Sequence, residues 1–85
     1  MGKKIAIGCD HGGFEMKNEL VDFLNEMGCE VGDFGLIEKA PIDYPIIAEK
    51  VATAVSSGEY ELGILVCGTG IGISIAANKV KGIRA

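Results

Sequence analysis

No part of this 85-residue chain is apolar for long. The first apolar stretch, Ile5 to Ile7 behind Lys3 and Lys4, is far shorter than a signal-peptide core or a membrane span of roughly 20 residues. A cytoplasmic protein without membrane contact is expected. Basic residues are also scarce. Eight Lys and Arg stand against twelve Asp and Glu, a net charge of −4, so no cationic face can neutralise a phosphate backbone, which argues against a nucleic-acid partner. Cysteine is short as well: Cys9, Cys29 and Cys67 are odd in number, widely spaced and without a CxxC pair. That pattern fits reduced thiols and argues against a disulfide-stapled secreted fold. No repeat, low-complexity tract or linker interrupts the chain, and its length suits one domain, residues 1–85. What is plentiful is apolar content, 48% of residues, enough to argue for a packed core rather than disorder. Such a small domain hides only about 60% of its unfolded surface, so association would help it.

Periodicity orders the elements. Ile5 to Cys9 is a short apolar run that ends in Asp10-His11-Gly12-Gly13, a buried strand feeding a polar loop. Met16, Leu20, Phe23, Leu24 and Met27 recur at helical spacing, with Lys17, Asn18, Asp22 and Glu26 on other faces and Gly28 as the stop. Residues 29–34 alternate imperfectly and suit a short, more exposed strand. A second helix begins near Asp43 and Pro45, where proline's missing N–H is harmless and the Asp is explained by capping. Ile47, Ala48, Val51 and Val55 form its stripe, and Gly58 ends it. Leu62 to Val66 is the most apolar run and is expected to be the central strand. A third helix follows over about residues 71–79, and Ile83-Arg84-Ala85 reads as a further strand beginning.

Strand and helix in alternation imply an α/β fold: a Rossmann-like, three-layer arrangement in which helices cover both faces of a parallel sheet. Such a sheet wants more strands than this chain supplies, so the expectation is a domain cut short as its fourth strand starts.

In open parallel sheets ligands collect at the carboxyl ends of strands. The loops 8–13 and 67–72 fall there and are expected to converge. Gly68, Gly70 and Gly72 leave backbone N–H groups able to point at an anion, and the following helix adds its positive end; alternatively the glycines serve only a tight turn. Two nucleotide signatures fail: position 73 is Ile where a dinucleotide loop needs its third glycine, and no Lys-Ser or Lys-Thr pair follows. Cys67 ends a strand at the mouth of this cradle, where a helix N-terminus favours an ionised sulfur that can serve as base or nucleophile. A small core residue or a redox-sensing thiol are the competing readings of it. Thr69 can donate to an oxyanion or bond its own turn. Asp10 and His11 suit a sugar hydroxyl and a phosphate, or cap the next helix. Cys9, Asp10 and His11 diverge in direction, so no metal is expected. Tyr44 is placed to line the site.

Three motifs, Gly8-Cys9-Asp10-His11-Gly12-Gly13-Phe14, Asp43-Tyr44-Pro45, and Cys67-Gly68-Thr69-Gly70-Ile71-Gly72-Ile73-Ser74-Ile75-Ala76-Ala77-Asn78-Lys79, closely resemble the B-type ribose-5-phosphate isomerases. That family also holds galactose-6-phosphate and allose-6-phosphate isomerases. The resemblance implies an aldose–ketose interconversion through a cis-enediolate, with no cofactor and with Cys67 moving a proton between the first two carbons. It implies that Thr69 and the backbone of Gly68, Gly70, Ile71 and Gly72 hold the enediolate oxygens. By the same resemblance Asp10 meets substrate hydroxyls, His11 lies near the phosphate, and Tyr44 is a weaker carry-over. It implies a homodimer or higher homo-oligomer, with the site often shared between the two subunits of a dimer. Family members also carry, beyond the stretch matched here, a ring-opening histidine, an asparagine beside it and phosphate-binding arginines. A non-catalytic sugar-phosphate or anion-binding module is the alternative when those groups are lacking.

Overall fold

The computed structural model describes residues 3–35, 44–68 and 71–85, and of Tyr44 the backbone alone. Lys4–Cys9 forms β1, a single 3-10 turn follows at His11–Gly13, and Phe14–Glu26 is α1. Glu30–Asp33 is β2, Tyr44–Ser56 is α2, Leu62–Val66 is β3 and Ile71–Asn78 is α3. β1 pairs in parallel with both other strands, Ile5 facing Val31 of β2 and Leu62 of β3, which gives the order β2-β1-β3. Parallel neighbours cannot be joined by a tight hairpin, so each connection crosses a face of the sheet on a helix. Among the described residues no helix is long and apolar enough to cross a membrane.

The alternation of side chains along β1 builds two cores. Cys9 and Val66 are buried against Phe14 and Leu20 of α1, while Ala6 packs with Val51 and Ala54 of α2 on the other face. Ala48 and Ala52 of α2 continue into Ile73 and Ala77 of α3. The result is the expected three layers, with α1 on one face and α2 and α3 on the other. α2 lies on nearly bare backbone: a Cβ at Gly8 would stand 2.6 Å from Ile47 Cγ2, and one at Gly63 2.9 Å from Val51 Cγ1. The helix stops expected at Gly28 and Gly58 are there, both with left-handed backbone at φ 86° and 83°.

Three expectations fail for reasons that local sequence does not carry. Among the described residues β3 pairs with β1 alone and β1 takes the central place; an apolar run reports coverage of a strand's faces, not how many neighbours it has. β3 borders a cavity of about 310 Å³ lined by Val51, Leu62, Leu65, Ile73, Ala77 and Ile83, among others. No fourth strand begins at Ile83. Instead Asn78 Oδ1 accepts from the Ala85 N–H at 2.8 Å, and its Nδ2 donates to the Ala85 carbonyl at 3.3 Å. Finally, α1 is turned from the expected phase. Met16, Phe23 and Met27 are more than half exposed, whereas Lys17 is 1% exposed. The inward face runs through Phe14, Lys17, Leu20 and Leu24, because Asp33 across the interface offers the ammonium a partner at 2.7 Å.

Candidate functional site

The strand order sets a topological switch point between β1 and β3. From β1 the chain passes over one face on α1 to reach β2 on one side, then returns over the opposite face on α2 to β3 on the other side. Between β1 and β3 the two crossovers diverge, and in open parallel sheets ligands bind outside the carboxyl ends of strands at such a point. Both glycine-rich loops leave from this point, and they do converge. The Asp10 N–H donates to the Val66 carbonyl at 3.1 Å. A Cβ on Gly12 would lie 3.6 Å from the Gly68 nitrogen, and one on Gly13 would run into the Val66 carbonyl. Absence of side chains is thus what lets the first turn lie against the end of β3.

Asp10 is extended, at φ −94° and ψ −173°, and caps the 3-10 turn: its Oδ1 accepts from the Gly13 N–H at 3.0 Å. The capping reading of Asp10 therefore holds. It occupies one carboxylate oxygen and leaves Oδ2 without a protein partner among the described residues. His11 opens the turn, exposed. Cys9, one residue earlier, is fully buried on the α1 face. Cys67 lies on the other side of the sheet, half-buried at the end of β3 against the α2–α3 cluster. Gly68 is exposed, with open space where a Cβ would be. Ile71, the first residue of α3, is 65% exposed, and Gly72 is half-buried. Thr69, Gly70, Asp43 and the Tyr44 side chain lie outside the described residues. Among those described, no three His, Cys, Asp or Glu stand together as a metal-binding group.

A residue that sequence patterning placed outward belongs to this end of the molecule. Lys17 Nζ donates to Asp33 Oδ2, while Asp33 Oδ1 accepts from the Gly35 N–H at 3.0 Å. The Gly35 carbonyl in turn accepts from the Cys9 N–H at 2.8 Å. The available signal was the alternative phase Phe14, Lys17, Val21, Leu24, which is equally helical but carries a charge.

Comparison with known proteins bears directly on these loops. Residues 5–85 match the Ribose/Galactose Isomerase family, a span that holds both turns and all three helices. The chain belongs to the ribose/galactose isomerase family. It is 59% identical over 83 residues to the ribose-5-phosphate isomerase B of Escherichia coli, covering 98% of this chain and 56% of that protein. Its structure is similar to that of the Clostridium thermocellum ribose-5-phosphate isomerase B, with TM-score 0.93 and 59% identity over 95% of this chain and 55% of that one. The Thermotoga maritima ribose 5-phosphate isomerase superposes with TM-score 0.95 at 46% identity, covering 99% and 58%. The chain thus spans a little over half the length of these members of the isomerase family. The resemblance drawn from the three motifs and the three-layer α/β fold both agree with these findings.

Proposed function

We propose that this chain serves a sugar-phosphate aldose–ketose isomerase, interconverting ribose 5-phosphate and ribulose 5-phosphate through a cis-enediolate. The Cys67 sulfur, ionised, takes the proton from C2 of the open-chain aldose and returns it to C1. The negative charge that develops on the substrate oxygens is met by the N–H groups of the 68–72 turn and by Thr69. Donors fixed before the reaction stabilise charge that appears only in the transition state, and so raise turnover rather than affinity alone. Asp10 contacts a sugar hydroxyl with the oxygen that capping leaves over, His11 lies toward the phosphate, and Tyr44 borders the substrate. The protein works in the cytoplasm, the reading drawn from its short apolar runs, and as a homodimer or higher homo-oligomer, the reading drawn from the family resemblance.

The observation that carries this reading is the meeting of the two loops at the β1–β3 switch point, with Gly12 beside Gly68 and Cys67 next in sequence. Cys67 is half-buried and not sealed into the core. The test is exchange of the C2 proton of ribose 5-phosphate with deuterated solvent, followed by NMR on this chain and on one extended to the length of the relatives. Exchange is expected in the extended chain and is expected to vanish in Cys67→Ala, with affinity for ribose 5-phosphate kept within about tenfold. Loss of binding in step with turnover would remove Cys67 from the proton-transfer role. Binding without exchange in both chains would instead support a sugar-phosphate-binding module.

A further inference from the structure

The geometry points to Lys17 as a positioning residue: we propose that its ion pair with Asp33 sets the conformation of the Cys9–Gly13 turn, and through it the spacing between the two loops. The inference rests on the site reading above for its functional meaning, though not for its test. Lys17 is the buried charged residue of the described structure, 1% exposed on the inner face of α1. Stability alone does not call for it. An apolar side chain of similar size packs in such a place with less desolvation cost, and buried ion pairs are accordingly weak contributors to stability. What the pair supplies is a fixed geometry.

Two routes lead from the ammonium to the site. In the first, Lys17 Nζ holds Asp33 Oδ2 at 2.7 Å, Asp33 Oδ1 holds the Gly35 N–H at 3.0 Å, and the Gly35 carbonyl holds the Cys9 N–H at 2.8 Å. Phe34 N–H, between them, donates to the Ile7 carbonyl at 2.8 Å. Gly35 sits at φ 122°, which only glycine adopts readily, so a bend that ordinary backbone would not keep is pinned by one carboxylate. In the second, Nζ stands 5.3 Å from the Phe14 ring centre, and Phe14 packs on Cys9 and Val66, the residues immediately before Asp10 and Cys67. One charge therefore braces the last residue of each strand that borders the switch point. Were Lys17 absent, the partly exposed Asp33 carboxylate would turn toward water and release Gly35.

Amide hydrogen exchange on this 85-residue chain, without any sugar phosphate, reads the proposal directly. In Lys17→Met the amides of Cys9, Gly13, Phe34 and Gly35 are expected to exchange about tenfold faster, while those of Tyr60 and Glu61, bonded at the other end of the sheet to Ala54 and Lys4, stay within about threefold. Adding Asp33→Asn, which keeps an acceptor for Gly35 and removes the stranded charge, is expected to restore much of the protection. A uniform acceleration at all six amides would mean that Lys17 only contributes global stability and would overturn the proposal, as would no change. If Lys17→Met does not fold, the double variant Lys17→Met, Asp33→Ala, which strands no charge and offers Gly35 no acceptor, decides. Faster exchange confined to Cys9, Gly13, Phe34 and Gly35 supports positioning, and unchanged or uniform exchange refutes it. Because no substrate enters the measurement, a chain that proves inactive leaves this result standing, and an active chain does not rescue it.

Discussion

Gly13→Ala is expected to be among the most damaging single-methyl additions in the chain, and Gly12→Ala, one position earlier, among the mildest. A Cβ at Gly13 would overlap the Val66 carbonyl and stand 2.9 Å from Val66 Cγ1. The carbonyl cannot swing aside cheaply, because it accepts the Asp10 N–H at 3.1 Å. Forcing a methyl group into a packed site costs about 1–3 kcal/mol. Moving Gly13 away also strains its N–H bonds to Asp10 Oδ1 and to the Asp10 carbonyl, at 3.0 and 3.2 Å, for about 1 kcal/mol more. The sum, about 2–4 kcal/mol, corresponds to a fall in Tm on the order of 10–25 °C for a domain of this size. Gly12 differs on each count: its nearest neighbours would be at 3.6 Å, ordinary contact, and its φ is not positive. There, the loss of freedom in the unfolded chain makes alanine neutral or stabilising by about 0.5 kcal/mol. Urea and thermal unfolding followed by circular dichroism measure both variants under one set of conditions. Stabilities for the two that agree within about 0.5 kcal/mol would refute the claim that backbone contact at Val66 fixes the approach of the loops.

Two further outcomes are expected. Asp10→Ala removes the cap on the 3-10 turn and is expected to cost about 1 kcal/mol in urea unfolding, with Asp10→Asn recovering most of it; equal losses in both would mean that the bond to Gly13 contributes nothing. In native protein iodoacetamide is expected to modify Cys29 and Cys67, both partly exposed, and to leave the buried Cys9 unmodified until denaturant is added. Mass spectrometry of the labelled peptides reads this, and early modification of Cys9 would contradict its burial.

The elements themselves were legible in the sequence because their signals are local. The apolar run Ile5 to Cys9, the stripe Ile47, Ala48, Val51 and the left-handed glycines at 28 and 58 all sit where the pattern places them. So was the meeting of the two glycine-rich loops, which follows once β1 and β3 are parallel and adjacent. Legibility ended where a residue's environment is set from far along the chain. Lys17 reads as surface until Asp33, 16 positions away, is known to face it. Likewise the most apolar strand reads as central, although neighbours are assigned by crossover direction and not by composition. The sequence offered both capping and ligand contact for Asp10. Geometry shows the cap, and the second carboxylate oxygen leaves room for the other role.

The outer flank of β3 carries a consequence for handling this 85-residue chain. Among the described residues β3 pairs with β1 alone, beside an apolar furrow that includes Leu62, and a strand with one open side is a template for an extended peptide. In concentrated samples of this 85-residue chain strand-for-strand stacking between copies is expected, and a short peptide that pairs with this rim is expected to lower the light scattering that reports it.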